Sequence, residues 1–105
     1  MIKVKGVAIP NMPWEEKPAN YDMPMWRYSK NPVIGRNPVE NVARIFNSAV
    51  VPYKNGEFAG VFRAETKNDV PYLYTGFSKD GLEWNFSKEA IKIYDSKGNK
   101  VKKNY

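Results

Sequence analysis

The 105 residues include no cysteine and no histidine. The first absence excludes disulfides and thiol chemistry, and the second excludes Ser–His relays. Together they remove the usual zinc ligand sets, so no metal site is expected. A chain without disulfides fits a cytoplasmic setting. Long apolar runs are missing too. The opening MIKVKGVAIP alternates instead of building a leader peptide. No stretch approaches the about 20 apolar residues of a membrane-spanning helix, and no membrane partner is expected. Acidic side chains are in the minority, 11 against 17 Lys and Arg, for a net charge of +6. Six of those lysines lie in 88–105, opposed only by Glu89 and Asp95. A charge run at a chain end reads as a solvated face. No RNA- or DNA-binding motif accompanies it, so nucleic acid is not an expected partner.

What the chain does hold is proline, glycine and aromatic residues: 8 Pro, 7 Gly, 7 Tyr, 5 Phe and 3 Trp. These favour strands and turns over helices, within one small domain. Six of the prolines fall in residues 1–38. A short strand is expected over 2–9. The segment after it, interrupted by Pro13, Pro18 and Pro24, supports neither helix nor ladder. It reads as an extended strap anchored by Trp14, Trp26 and Tyr28. From Arg44 the pattern becomes regular. Strands are expected over 44–53, 57–65 and 72–78, with an outer, interrupted fourth over 84–86 and 90–94. Asn55-Gly56 and Asp80-Gly81 are both type I′ turn signals, and 66–71 forms the turn between them. The fold class is therefore all-β, a four-stranded antiparallel meander.

Counting outward from Asn55-Gly56 as a two-residue loop places Tyr53 across from Phe58, Ala49 across from Phe62 and Ser48 across from Arg63. Both faces of this hairpin are mostly apolar, which suits a strand pair buried in a stack of sheets. Asn47, Ser48 and Arg63 are the exceptions, and this register gathers them at one end. A buried arginine needs a partner. Either it pairs with a carboxylate, Glu65 being the nearest in sequence, or it faces a polar ligand site.

The stretches ANYDMPMWRYSKNPVIGRNP, IFNSAVVPYKNGEFAGVFRAE and YTGFSKDGLEWN closely resemble the amino-terminal part of glycoside hydrolase family 130, the β-mannoside phosphorylases and related mannosidases. The resemblance covers about residues 9–95. It implies one blade of a five-bladed β-propeller, with the strap in 1–38, the blade in 39–95 and the start of a following blade in 96–105. It also implies phosphorolysis of a β-1,4-mannoside with inversion. Phosphate attacks the anomeric carbon, an Asp protonates the leaving oxygen by way of a sugar hydroxyl, and α-mannose 1-phosphate forms. Inorganic phosphate would be the co-substrate, with no cofactor.

Residue by residue, the resemblance assigns Asn47, Ser48 and Arg63 to substrate binding. It assigns Ser78, Asp80, Gly81 and Trp84 to a propeller turn, where Asp80 caps and Trp84 packs across from Phe77. The family's acid belongs to a Gly-Tyr-Asp-Pro-like segment that this sequence does not contain, so no catalytic residue is expected here and the acid is expected beyond Tyr105. The chain then reads as part of a larger enzyme that needs the other blades or self-association. The alternative is a non-catalytic sugar-binding or assembly module.

Overall fold

In a computed structural model that describes Pro13 and residues 15–102, regular structure begins at Val42. Strands β1 (Val42–Pro52), β2 (Phe58–Thr66), β3 (Pro71–Ser78) and β4 (Asn85–Phe86) form one sheet in that order, each antiparallel to its neighbour. The expected four-stranded antiparallel sheet is present, and no α-helix occurs among the described residues. The fourth strand is shorter than expected but is followed by looser pairing. Ser87 N–H donates to the Thr75 carbonyl at 2.9 Å and Ile91 N–H to the Leu73 carbonyl at 2.8 Å. A further ribbon bridges Tyr94 with Lys100, and Val101 N–H donates to Ile93 at 2.8 Å.

The first turn forms as its residues dictate. Asn55 and Gly56 have φ of 57° and 73°, and Glu57 N–H donates to the Lys54 carbonyl at 3.1 Å. The next rung departs from the expected register. Tyr53 N–H, not that of Lys54, donates to the Glu57 carbonyl at 2.7 Å, and Pro52 sits across from Phe58. Proline supplies the reason. A two-residue loop would put Pro52 across from Ala59 at a hydrogen-bonded position, where its missing N–H breaks the ladder. Slipping by one residue moves Pro52 to a non-hydrogen-bonded position. Replacing Gly56 with valine is expected to destabilise the chain by about 1–3 kcal/mol, because positive φ is costly for a β-branched side chain. Urea unfolding checks this, and an unchanged midpoint contradicts it.

The slip decides which residues share a face. Phe58, Gly60, Phe62, Ala64 and Thr66 are buried on one side of β2, with Tyr74, Gly76 and Ser78 beside them on β3. Phe62 stands edge-on to Trp84 and Phe86, with ring centroids 4.9 and 5.0 Å away. Val42, Ala64 and Tyr74 form a second buried cluster. On the opposite face Val51, Tyr53, Val61 and Phe77 remain 57, 46, 38 and 46% exposed. Among the described residues, the hairpin expected to be buried on both sides is therefore covered on one side only, over β2 and β3.

Two details of the Asp80 turn differ from expectation. Asp80 has no positive φ; only Gly81 does, at 80°. The loop closes through side chains instead. The Asp80 carboxylate accepts from Leu82 and Glu83 N–H at 2.9 and 3.0 Å, which holds its pKa below the ordinary aspartate value. The Ser78 hydroxyl accepts from Gly81 N–H at 2.8 Å. Because the carboxylate satisfies the loop amides, the backbone does not need the type I′ shape. Trp84 does not pack across from Phe77. Its indole N–H reaches the Gly81 carbonyl at 3.0 Å and its ring lies against Phe62, while Phe77 pairs with Tyr53 at 5.7 Å.

The described part of the strap contains no strand or helix. Half-buried Trp26 meets Tyr21 edge-on at 5.0 Å, and half-buried Tyr28 precedes Ser29, whose N–H and hydroxyl both donate to Glu15. The strand expected over 2–9 and the anchor Trp14 lie outside the described residues.

Candidate functional site

Among the described residues strand β1 is an edge strand, so one row of its backbone groups has no strand partner among them. Midway along it the register shifts between Phe46 and Ser48. The extra residue is Asn47, with φ of 50°, in the left-handed region that Asn tolerates better than most residues. A bulge of this kind bends the strand and re-aims its side chains. It leaves Asn47 and Ser48 both exposed on an otherwise apolar edge.

Arg63 is not beside Ser48 as expected. Phe46 faces Arg63 and Ser48 faces Phe62, so the two rows are adjacent, with the Asn47 bulge between them. Ser48 lies on the Phe62 face of the sheet and Arg63 on the opposite face. The one-residue slip at Pro52 and the bulge at Asn47 account for the change. Arg63 is half-buried, and its guanidinium carbon lies 5.0 Å from the centre of the Phe46 ring. This cation–π contact compensates part of the charge's lost hydration. Glu65, one of the alternatives open for Arg63, instead faces Arg44 across the strands and forms an ion pair with it. The hydrogen bond from Arg44 is the main cause of a Glu65 pKa below its ordinary value, and the Arg63 charge adds a smaller push in the same direction.

Phe46 was not singled out by the sequence, although it positions the arginine. The available signal was an aromatic residue immediately before a polar Asn-Ser pair in a greasy strand. The unusual backbone of Asn47 also had a signal, since asparagine in the middle of a strand is uncommon.

Chemically, an amide, a hydroxyl and a guanidinium donate hydrogen bonds and, in the first two cases, accept them. None is a proton donor suited to acid catalysis at neutral pH. Among the described residues no group of three or more His, Cys, Asp or Glu side chains could hold a metal ion. No helix among them is long and apolar enough to cross a membrane.

The described residues thus define an antiparallel all-β sheet with an exposed Asn-Ser pair at a bulge in its edge strand. The particular family follows from comparison. The model of glycoside hydrolase family 130, described as beta-1,4-mannooligosaccharide phosphorylase, matches residues 7–102, and the chain belongs to this family. It is 47% identical over 90 residues to a beta-1,4-mannooligosaccharide phosphorylase of Ruminococcus albus, a match covering 84% of this chain and 27% of that relative. The chain thus spans about a quarter of the relative's length.

Proposed function

We propose that this chain is the strap (1–38) and one blade (39–95) of a five-bladed β-propeller, with residues 96–105 beginning the next blade. The assembled protein is an inverting β-1,4-mannoside phosphorylase. Asn47, Ser48 and Arg63 hold the mannosyl group, and inorganic phosphate attacks its anomeric carbon. An aspartate outside this chain protonates the leaving oxygen through a sugar hydroxyl, releasing α-mannose 1-phosphate. The observation that carries this reading is the Asn47 bulge. It exposes an Asn-Ser pair on the open edge of a sheet whose sequence is 47% identical to a beta-1,4-mannooligosaccharide phosphorylase.

Two further features support the reading. The uncovered apolar face of Val51, Val61 and Phe77 suits a neighbouring sheet, as stacked blades require. The Arg63 guanidinium, on the row next to the bulge, suits the electron-rich oxygens of a sugar or the phosphate approaching it. Alone, the chain offers part of a sugar cradle and no acid, and catalysis requires several groups fixed together. Purified residues 1–105 are therefore expected to release no mannose 1-phosphate from a β-1,4-mannooligosaccharide and phosphate. Robust turnover by the isolated chain overturns the assignment of the acid to another segment.

A further inference from the structure

At the sheet edge opposite β1 lies a cleft of about 830 Å³. Tyr72 and Tyr74 of β3 line it, together with Ala90, Ile91 and Val101 from the segment that curls past that strand. Three lysines, Lys92, Lys100 and Lys102, also line it, against a single acid, Glu89. Glu89 engages Lys92 at 3.1 Å. The cleft therefore combines an apolar, ring-bearing surface with a net positive charge, and its volume suits a small organic ligand.

We propose that this cleft binds a small organic phosphate or sulfate, with the ligand's ring or sugar body on the Tyr72–Tyr74 side and its anionic group at Lys100 and Lys102. Lysine ammonium groups hold a phosphate as point charges and need no fixed fork geometry. The half-buried Tyr72 ring offers a face on which a planar ring or the C–H face of a sugar packs, while Tyr74, only 6% exposed, forms the floor beneath it. Burial pushes the Tyr74 hydroxyl above its ordinary pKa, so it stays neutral and does not repel an anion. The lining of the cleft includes none of Asn47, Ser48 and Arg63, and the site does not depend on the mannosyl-binding reading.

The test is titration of the 105-residue chain with phenyl phosphate, with inorganic phosphate and phenol as separate arms, followed by amide chemical shifts. Saturable shifts at residues 72–74 and 89–102 are expected. Phenyl phosphate should bind at least about fivefold more tightly than either part alone. Lys100→Glu with Lys102→Glu should weaken it about tenfold or more. Lys17→Glu with Lys79→Glu, outside the cleft, should leave it within about twofold. Raising the salt to about 0.5 M should weaken binding, as screening requires. Absence of saturable shifts at millimolar ligand overturns the proposal, as does an equal loss in both double variants. Inorganic phosphate binding as tightly as phenyl phosphate would also overturn it, because the tyrosine side would then contribute nothing.

Discussion

Arg63→Ala is expected to lower kcat/KM for phosphorolysis by roughly 30- to 1,000-fold, about 2–4 kcal/mol of transition-state stabilisation. The measurement belongs in a chimaera in which residues 7–102 replace the matching segment of the Ruminococcus albus phosphorylase. The size of the effect follows from position. Arg63 is half-buried and its guanidinium lies over the Phe46 ring, on the row next to the Asn47 bulge, so its charge acts from a partly desolvated place. Removing it also removes packing on the Phe46 ring, so the variant's urea unfolding must be measured alongside its kinetics. Arg63→Lys keeps the charge but loses the guanidinium's contact over the Phe46 ring and should recover only part of the rate. Arg44→Ala is the control. Arg44 is exposed, pairs with Glu65 and lies three residues before Asn47. It should leave kcat/KM within about threefold, since exposed ion pairs contribute little. If Arg63→Ala turns over at near-normal rate, Arg63 is a structural residue only.

The largest expected loss of stability comes from Phe62→Ala, about 3–5 kcal/mol. Phe62 is 1% exposed and stands edge-on to both Trp84 and Phe86. Its ring fills the space above two glycines. A Cβ at Gly60 would come within 2.5 Å of it and one at Gly76 within 3.0 Å. Truncation therefore empties a site whose walls are backbone and other rings, which collapse poorly. Small domains are stabilised by only about 5–15 kcal/mol, so this loss is a large share of the total. Urea unfolding followed by tryptophan emission and near-ultraviolet circular dichroism reads it directly, because Trp84 is one of the contacts removed. A shift below about 1 kcal/mol would mean that Phe62 is not central to the packing.

The strands were legible in the sequence because their apolar runs are bounded by Asn-Gly, by the turn over 66–71 and by Asp-Gly. Each observed strand of the β1–β3 core lies within two residues of its expected bounds. Register was less legible, and the cause is local. Counting from a two-residue loop ignored that Pro52 has no N–H to give Ala59, a constraint the sequence carried. The Asn47 bulge then shifts the pairing again. Those two single-residue effects redistribute the polar residues. Glu65 goes to Arg44, Arg63 to Phe46, and Ser48 to the Phe62 row. Asp80 was read correctly as the cap of its turn, but the turn type was not. Side-chain acceptance by a carboxylate satisfies loop amides without the backbone shape that Asp-Gly usually signals. Trp84 is read from the turn as packing across from Phe77, yet it belongs to the loop before β4, where cross-strand pairing does not apply. Asn47 and Ser48 were legible as polar intrusions in an apolar strand. The left-handed backbone that exposes them is a tertiary outcome of fitting an extra residue into the edge.

The central claim is that this sheet serves as the mannosyl-holding blade of a phosphorylase. The most direct test is the rate at which the unmutated chimaera releases α-mannose 1-phosphate from a β-1,4-mannooligosaccharide and inorganic phosphate. The account predicts phosphate-dependent turnover within about tenfold of the parent enzyme, since the transplanted blade would carry the same sugar-binding groups in the same bulged edge. A chimaera that folds and unfolds cooperatively like its parent, yet releases no mannose 1-phosphate, would contradict it.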